Sequence, residues 1–282
     1  KAPVLAAPAM DTGMWTADAT RENVRILRER GVHFVGPDSG RLACGDTGAG
    51  RMSEPEEIFE AIEHILCPQK DLEGKSVLVT AGPTREKLDP VRYITNRSSG
   101  KMGYALAEAA RDRGAEVVLI SGPVQLPEPP GVELVRIRSS ADLCKAVLER
   151  GEWADVVIQA AAPADFTPAA CSASKIKKTG EGMALKLVST TDIAAELGRR
   201  KRAGQILVAF AAETDDVQAN AQGKLERKNA DLVVANDVSR TDAGFGVDTN
   251  AVTLITRGDI RSLPVMSKRD VADGILDRVA GL

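Results

Sequence analysis

The sequence of residues 71–282 predicts a doubly wound α/β fold, in which a mostly parallel sheet carries helices on both faces. Strand-like runs alternate with helical patterns from Lys75 onward, as expected for strands joined by crossover helices. The runs Val156–Ile158 and Val233–Ala235 are continuously apolar, which indicates strands that are buried on both faces of a parallel sheet. In sheets of this kind, ligands bind beyond the carboxyl ends of the strands.

The predicted elements follow from short apolar runs and from apolar residues at helical spacing. The predicted strands are Ser76–Ala81, Glu116–Ser121, Val132–Arg136, Asp155–Ala162, Gln205–Ala212 and Asp231–Asn236. The predicted helices are Met102–Arg113, Ala141–Glu149, Asp192–Arg202, Asp216–Lys228 and Ser267–Val279. A late β-hairpin is predicted from Ala251–Thr256 and Leu263–Val265, which flank Arg257-Gly258-Asp259.

Residues 1–70 form a separate predicted segment that ends in a polar linker. Its elements are the strands Val4–Ala7 and Val32–Val35, the helices Asp18–Arg30 and Pro55–Leu66, and the glycine-rich loop Gly40–Met52. So short a segment buries too little surface for a stable core of its own. Because the chain begins with an apolar run and without methionine, we expect it to be part of a longer polypeptide.

Composition excludes several classes of function. Only 3% of the 282 residues are aromatic and the net charge is −3, so neither a stacking surface for nucleic acid nor a general attraction to polyanions is expected. The four cysteines fit neither zinc-ligand spacing nor a disulfide framework, which indicates a reducing compartment. No apolar run reaches the roughly 18 residues of a membrane span, and no signal peptide is visible. We therefore expect a cytoplasmic protein.

The loop Gly82–Gly103 connects the first strand of the larger fold to its first helix. Small residues at the helix start, Ser98–Gly100 and Gly103, would let backbone N–H groups face an anion. Four cations accompany them: Arg85, Arg92, Arg97 and Lys101. The loop therefore predicts a site for a phosphorylated ligand.

Two other regions carry residues suited to a nucleotide. The run Ala160–Phe166 follows a buried strand; its small residues allow close approach of a planar ring, and Asp165 could bind a metal ion or a polar group. Three lysines in Lys175–Lys178 suit a polyphosphate, although the same run could be a solvated charged surface. Lys224 and Lys228 share one face of a predicted helix, which could equally be an ordinary exposed face.

Together these motifs resemble one family, in the same order over residues 75–282. The matching blocks are Gly82–Glu86, Ile94–Asn96 with Ser98–Gly103, Ala164–Phe166, Lys175–Lys178, Ala212–Thr214 and Ala235–Val238. They resemble the synthetase domain of the bifunctional phosphopantothenoylcysteine decarboxylase/phosphopantothenate–cysteine ligase of coenzyme A biosynthesis, which has a Rossmann-like fold. Residues 1–70 resemble the C-terminal end of its flavin-dependent decarboxylase domain, through Pro8–Met10 with Met14-Trp15 and Leu42–Gly45 with Gly50–Met52.

The resemblance implies a two-step ligation. The carboxylate of 4′-phosphopantothenate attacks the α-phosphate of CTP, and pyrophosphate leaves. The amine of L-cysteine then attacks the acyl-cytidylate and releases CMP. Mg²⁺ is expected to neutralise the triphosphate. The resemblance also implies a homodimer formed through the ligase domain and a higher oligomer in full-length members.

Residue roles also follow from the resemblance. The nucleotide would be lined by Gln159, Ala160, Ala161, Asp165, Thr191, Asp192, Ile193, Ala194 and Phe210, with Asp165 as a candidate Mg²⁺ ligand. Lys175 would stabilise charge at the reacting phosphate, and Lys224 and Lys228 would bind phosphate groups. Asn96 would hydrogen-bond the carboxylate or the acyl-phosphate intermediate, supported by Arg92. By pattern alone, Phe210 is a core strand residue and Asn96 a turn residue.

The decarboxylase half departs from the family pattern. The family has Pro-Ala-Met-Asn, whereas Asp11 follows Met10 here, and an ionised aspartate would repel a substrate carboxylate. Cys44 matches the proton donor of the family; as an isolated cysteine it would be a small buried hydrophobe. The family's flavin-binding and catalytic-histidine region is not part of this sequence. FMN is therefore expected only for the decarboxylase half of a full-length protein.

Two other functions are compatible with parts of the pattern. An NAD(P)-binding oxidoreductase needs Gly-x-Gly-x-x-Gly directly between the first strand and helix, and an acid after the second strand. Here that loop is long, and Ser121-Gly122-Pro123 follows the second strand, so the sequence argues against an NAD(P)-binding oxidoreductase. A non-catalytic scaffold that uses the first segment for assembly is the third hypothesis.

Overall fold

A computed structural model of the chain describes residues 2–66, 70–178, 182–213, 223–237, 244 and 246–282. The chain divides into two compact units, Lys1–Lys70 and Asp71–Leu282. Part of the predicted helix Asp216–Lys228 lies outside the described residues, as do Thr214 and Val238 of the motif blocks. None of the helices in the described part of the chain combines the length and apolar character that a membrane crossing needs.

The first unit is built from short elements that surround very little interior. They are β1 (Val4–Ala6), α1 (Thr12–Thr16), α2 (Asp18–Glu29), β2 (Val32–Phe34), β3 (Asp38–Arg41), β4 (Thr47–Arg51) and α3 (Pro55–Leu66). Strands β1 and β2 pair in parallel, and the predicted glycine-rich loop forms the antiparallel hairpin β3–β4. Within residues 2–66, no helical residue is buried. This unit therefore has almost no apolar core of its own.

The second unit alternates strands and helices as predicted. Its elements are β5 (Ser76–Ala81), β6 (Arg85–Lys87), β7 (Tyr93–Thr95), α4 (Lys101–Asp112), β8 (Glu116–Ser121), β9 (Glu133–Arg136), α5 (Ser140–Gly151), β10 (Val156–Gln159), β11 (Phe166–Pro168), β12 (Leu187–Ser189), α6 (Ile193–Arg200), β13 (Ile206–Glu213), β14 (Leu232–Asp237), β15 (Thr249–Ile255), β16 (Ile260–Ser267) and α7 (Lys268–Ala280). Residues 223–227 are also helical.

The main sheet has eight strands in the order β16-β15-β14-β13-β10-β5-β8-β9. The strands from β14 to β9 are parallel, whereas β15 and β16 form the late antiparallel hairpin. Chain order therefore reverses between the adjacent strands β5 and β10, which is the switch point where doubly wound sheets leave a crevice. The predicted fold class is confirmed.

The sheet is buried on both faces, as its apolar strands indicated. In β5, Val77 and Val79 pack in one core cluster, together with residues of α4 and α7. Leu78 lies in the other cluster, together with residues of α5 and α6. Successive side chains of a strand point to opposite faces, so an uninterrupted apolar run supplies both cores.

The differences from the predicted boundaries lie mainly near the switch point. The predicted strand Asp155–Ala162 ends at Gln159, and beyond it only an isolated bridge joins Pro83 to Ala162. The hairpins β6–β7 and β11–β12 were not predicted, because their strands are three residues long and lack an apolar run.

The absence of a side chain at Gly103 allows α4 to cross β5 closely. A Cβ atom there would lie 2.5 Å from Cβ of Ala81 and 2.8 Å from the carbonyl oxygen of Thr80. Gly100, the residue before α4, has φ of 80°, a left-handed conformation that glycine adopts without strain. These two glycines bring the start of α4 to the carboxyl end of β5.

Candidate active site

Three cavities open at the carboxyl edge of the sheet in the second unit, and Phe210 of β13 borders all of them. Phe210 also packs against the core, so its predicted packing role and its place at the cavities coexist. The central cavity, of about 430 Å³, is lined by Asn96, Arg97, Ala160, Ala161, Ala162, Pro163, Asp165, Phe210, Ala211, Lys224, Lys228 and Asn236.

A second cavity, of about 170 Å³, continues from the central one toward the start of α6. It is lined by Gln159, Ala161, Pro163, Ala164, Asp165, Thr190, Thr191, Asp192, Ile193, Ala194, Ala209, Phe210 and Lys228. Asp192 caps α6 by accepting a hydrogen bond from the backbone N–H of Ala195, and its Oδ1 lies 3.4 Å from Nζ of Lys228. Gln159 is buried, and its Nε2 has no hydrogen-bond partner among the described residues.

The third cavity, of about 50 Å³, lies at the start of α4. It is lined by Ser98, Ser99, Gly100, Lys101, Met102, Gly103, Ala160, Phe210, Asn236, Gly244, Asn250 and Lys268. No side chain caps this helix. The first-turn N–H groups therefore add positive potential to the cavity.

The loop after β10 is held in place by hydrogen bonds from neighbouring segments. The buried hydroxyls of Thr84 and Ser140 lie 3.1 Å apart. Thr84 Oγ1 accepts from the backbone N–H of Ala164 at 3.0 Å, and Ser140 Oγ donates to the Ala164 carbonyl oxygen at 3.2 Å. Asn96 Nδ2 donates to the carbonyl oxygen of Pro163 at 2.9 Å. These contacts fix the backbone that precedes Asp165.

A buried carboxylate organises the loop on the other side of the switch point. Asp89 accepts hydrogen bonds from the backbone N–H groups of Val91, Arg92 and Ile176 and from the guanidinium of Arg92. Burial acts to raise the pKa of Asp89, but the hydrogen bonds from Val91, Ile176 and Arg92 outweigh it and lower the pKa to about 2. Asp89 is therefore ionised throughout the neutral range.

In the first unit, three polar side chains approach one another. Cys44 Sγ donates to Oδ2 of Asp11 at 3.5 Å, and single ligand atoms of Asp11, Cys44 and Asp46 all lie within 4.8 Å of one another. Asp11 also accepts from the backbone N–H of Gly13 and caps α1. All three residues are exposed, so Cys44 is not the buried hydrophobe that an isolated cysteine suggests.

Family models match both parts of the chain. Residues 72–282 match the DNA/pantothenate metabolism flavoprotein C-terminal domain, and residues 1–66 match the flavoprotein family. The coenzyme A biosynthesis bifunctional protein CoaBC of Bacillus subtilis is 50% identical over 285 residues, which cover 100% of this chain and 70% of that relative. The chain belongs to the CoaBC family.

Two further comparisons place this family in context. A crystal structure of the C-terminal domain of a CoaBC protein is 42% identical with a TM-score of 0.65, and the match covers 75% of this chain and 97% of that one. A relative described as a cysteine/cysteine sulfinic acid decarboxylase, from an unknown prokaryotic organism, is 45% identical over 288 residues, which cover 100% of this chain and 80% of that relative.

Most residues that the CoaBC resemblance assigned to the ligase site border one of the cavities, but two do not. Lys175 is exposed and lines none of the three cavities, and neither does Arg92, which pairs with Asp89 at 2.6 Å. Of the four cations noted in the loop before α4, Arg97 and Lys101 border cavities. Arg85 instead stacks on the ring of Tyr93 at 4.6 Å.

Sequence reasoning missed four polar residues that hold the segments around these cavities in place. Thr84, Asp89, Ser140 and Lys268 were not assigned a role. Thr84 and Asp89 lie inside the long loop between β5 and α4; Thr84 belongs to the motif block Gly82–Glu86, but the burial of these two polar residues cannot be read from the sequence. Ser140 and Lys268 each occupy the first position of a helix, and nothing in their local pattern distinguishes them from ordinary helix-start residues.

Proposed function

We propose that the second unit catalyses CTP-dependent ligation of 4′-phosphopantothenate and L-cysteine through an acyl-cytidylate. One observation carries the proposal: three adjoining cavities share Phe210 of β13 in their lining, at the carboxyl edge of the sheet and one strand away from the switch point between β5 and β10. A nucleoside, a reacting acyl phosphate and a second phosphate group thereby have adjoining sites. Family membership supports the assignment.

The cavity beside α6 suits the nucleoside of CTP. It offers Gln159, the start of α6 and the ring of Phe210, whereas Lys224 and Lys228 border the central cavity where the triphosphate would lie. Lys228 is held by Asp192, so its ammonium group is directed toward the region shared by the two cavities. Two cations there would offset the charge of the triphosphate.

The central cavity suits the reacting carboxylate and the α-phosphate. A carboxylate oxygen forms a bond to the α-phosphorus, and the bond to the bridging oxygen of the leaving pyrophosphate breaks. The amine nitrogen of cysteine then bonds to the acyl carbon and loses a proton, and CMP leaves. Asn96, which borders this cavity, would orient the acyl group, and Lys175 would reach the reacting phosphate from its exposed segment.

Mg²⁺ fits this site in the mode in which one carboxylate and substrate phosphates share the ion. Asp165 is the carboxylate that borders both the central cavity and the cavity beside α6 in the described part of the chain. When bound there, the ion would neutralise phosphate charge. The homodimer and the cytoplasmic location remain predictions.

Decarboxylation is the second candidate activity, because residues 1–66 match the flavoprotein family and one relative is named as a decarboxylase. The helices within residues 2–66 bury no side chain, so these residues by themselves offer no apolar interior for a flavin ring, and FMN stays a prediction for the decarboxylase half of a full-length protein. Asp11 also places a carboxylate beside Cys44. No decarboxylation step is assigned to this chain.

The test is release of pyrophosphate that requires both CTP and 4′-phosphopantothenate, with the cysteine adduct identified by mass spectrometry. ATP in place of CTP, and omission of either substrate, are the controls. A Lys228→Met variant should lose affinity for CTP. Absence of pyrophosphate release by the folded protein would refute the ligase proposal, and tight binding of NADPH would favour the oxidoreductase alternative.

A further inference from the structure

Lys101 forms an ion pair that solvent screens strongly. Its Nζ lies 2.6 Å from Oδ1 of Asp248, and the Asp248 side chain is 88% exposed. Exposed ion pairs contribute little to stability, because water solvates both charges well when they separate. Lys101 can therefore exchange Asp248 for a more highly charged anion at little cost.

Lys268 borders the same small cavity but is held differently. Its side chain is buried, and its ammonium group donates to the carbonyl oxygens of Gly244, at 3.0 Å, and Val247. Burial lowers the pKa of Lys268, and the nearby charge of Lys101 lowers it further, against an opposing effect of Asp248. Two cations thus repel each other at this cavity.

The cavity itself suits one small tetrahedral anion. It is much smaller than the other two and has no room for a nucleoside. Its walls include the hydroxyl residues Ser98 and Ser99, and the first turn of α4 contains no acidic residue. A phosphate dianion would gain hydrogen bonds and relieve the repulsion between the two lysines.

We propose that Lys101 is a phosphate-selecting residue of this cavity. In the absence of an anion Lys101 pairs with Asp248, and it exchanges this partner for the phosphate of the substrate when the substrate binds. Lys268 remains on its two carbonyl oxygens and provides the fixed charge, so Lys101 is the cation that changes partner. The identification of that phosphate as the one of 4′-phosphopantothenate rests on the proposed ligase function.

The experiment measures binding without turnover, by calorimetry with 4′-phosphopantothenate, pantothenate, inorganic phosphate and CTP. Lys101→Met should weaken binding of 4′-phosphopantothenate on the order of tenfold, because a charge-assisted contact is lost. It should leave CTP and pantothenate binding unchanged. Asp248→Asn should tighten binding of 4′-phosphopantothenate and inorganic phosphate, because the competing carboxylate is gone. Lys101→Arg should retain the preference for the phosphorylated ligand.

Lys145→Met is the matched control, since Lys145 is an exposed lysine paired only loosely, at 3.9 Å, with Glu149 on α5. Weaker binding in Asp248→Asn, equal to that in Lys101→Met, would overturn the proposal and make the ion pair structural. Equal affinity of the wild type for pantothenate and 4′-phosphopantothenate would also overturn it. The expected binding pattern without pyrophosphate release would refute the ligase function and leave the phosphate role of Lys101 standing.

Discussion

Asp89 joins Arg92 to the segment that carries Lys175. Its Oδ2 accepts from Nη1 of Arg92 at 2.6 Å and from the backbone N–H of Ile176 at 3.1 Å, and the same Arg92 nitrogen donates to the carbonyl oxygen of Ile176 at 3.0 Å. One buried carboxylate thus fixes two predicted substrate-binding residues relative to each other. Through Ile176, the residue after Lys175, this contact holds the Lys175 backbone close to Arg92.

We expect Asp89→Asn to impair ligation more than it impairs CTP binding. The amide cannot accept all of these hydrogen bonds and leaves Arg92 without its counter-ion. A loss of turnover on the order of tenfold is expected, the scale of one misplaced charged contact. Pyrophosphate release and CTP affinity should be measured side by side. An equal loss of both would contradict a specific positioning role.

The same carboxylate gives a pH dependence of defined sign. Because folding lowers the pKa of Asp89 from 3.8 to about 2, its stabilising contribution is fully present above the unfolded-state value and is lost as the pH falls through the folded-state value. Urea unfolding of the wild type and Asp89→Asn between pH 7 and pH 2 checks this. The difference in unfolding free energy should stay constant down to about pH 4 and shrink below it. A difference that is independent of pH over this range would contradict the assignment.

Asn96→Asp should slow product formation. Nδ2 of Asn96 donates to the carbonyl oxygens of Pro163 and Ala162, and an ionised aspartate would face those oxygens as an acceptor only. It would also repel the incoming carboxylate and the cytidylate phosphate. Losing such contacts costs about 1–3 kcal/mol, or roughly ten- to hundredfold in turnover. CTP affinity should change less, because the proposed CTP contacts are those of the lysines and Phe210.

The measurement for Asn96 separates CTP binding from product formation. Equal losses in both would show that Asn96 acts only by holding the Ala162–Pro163 backbone. Unchanged turnover would remove it from the site.

Lys175→Ala should abolish formation of the acyl-cytidylate while leaving the fold intact. The side chain is exposed, so its removal creates no cavity. Removal of a well-placed donor to the transition state raises the activation free energy by at least ~3 kcal/mol. Pyrophosphate release should be compared with that of Lys145→Ala, the corresponding change at an exposed lysine of α5. Near-wild-type release by Lys175→Ala would exclude the assigned role.

The purified chain should contain no FMN and should not release CO₂ from phosphopantothenoylcysteine. We expect no flavin and no decarboxylation because Asp11 places a carboxylate beside Cys44, and because no helical residue within 2–66 is buried. Absorbance near the flavin bands and a CO₂ assay with added FMN test this. Stoichiometric bound flavin would contradict the prediction.

The sequence was most informative where a pattern repeats. Val156–Ile158 and Val233–Ala235 predicted strands buried on both faces because such runs have few other stable environments. It was least informative in the loop before α4. The hydrogen bonds from the Ala164 N–H to Thr84 and from the Ile176 N–H to Asp89 join residues 80 and 87 positions apart, and no local periodicity encodes such pairs. Lys175 and Asn96 were found through family motifs, and their predicted roles still depend on those motifs.

The position of Phe210 at the junction of all three cavities has a thermodynamic consequence. Any displacement of its ring by one occupant changes the space that the next occupant finds. If the nucleotide alters the affinity for the pantothenate substrate by some factor, that substrate must alter the affinity for the nucleotide by the same factor. Under the proposed ligase function, this single aromatic side chain on β13 would provide a direct route for reciprocal coupling between the two ligands, without movement of the sheet.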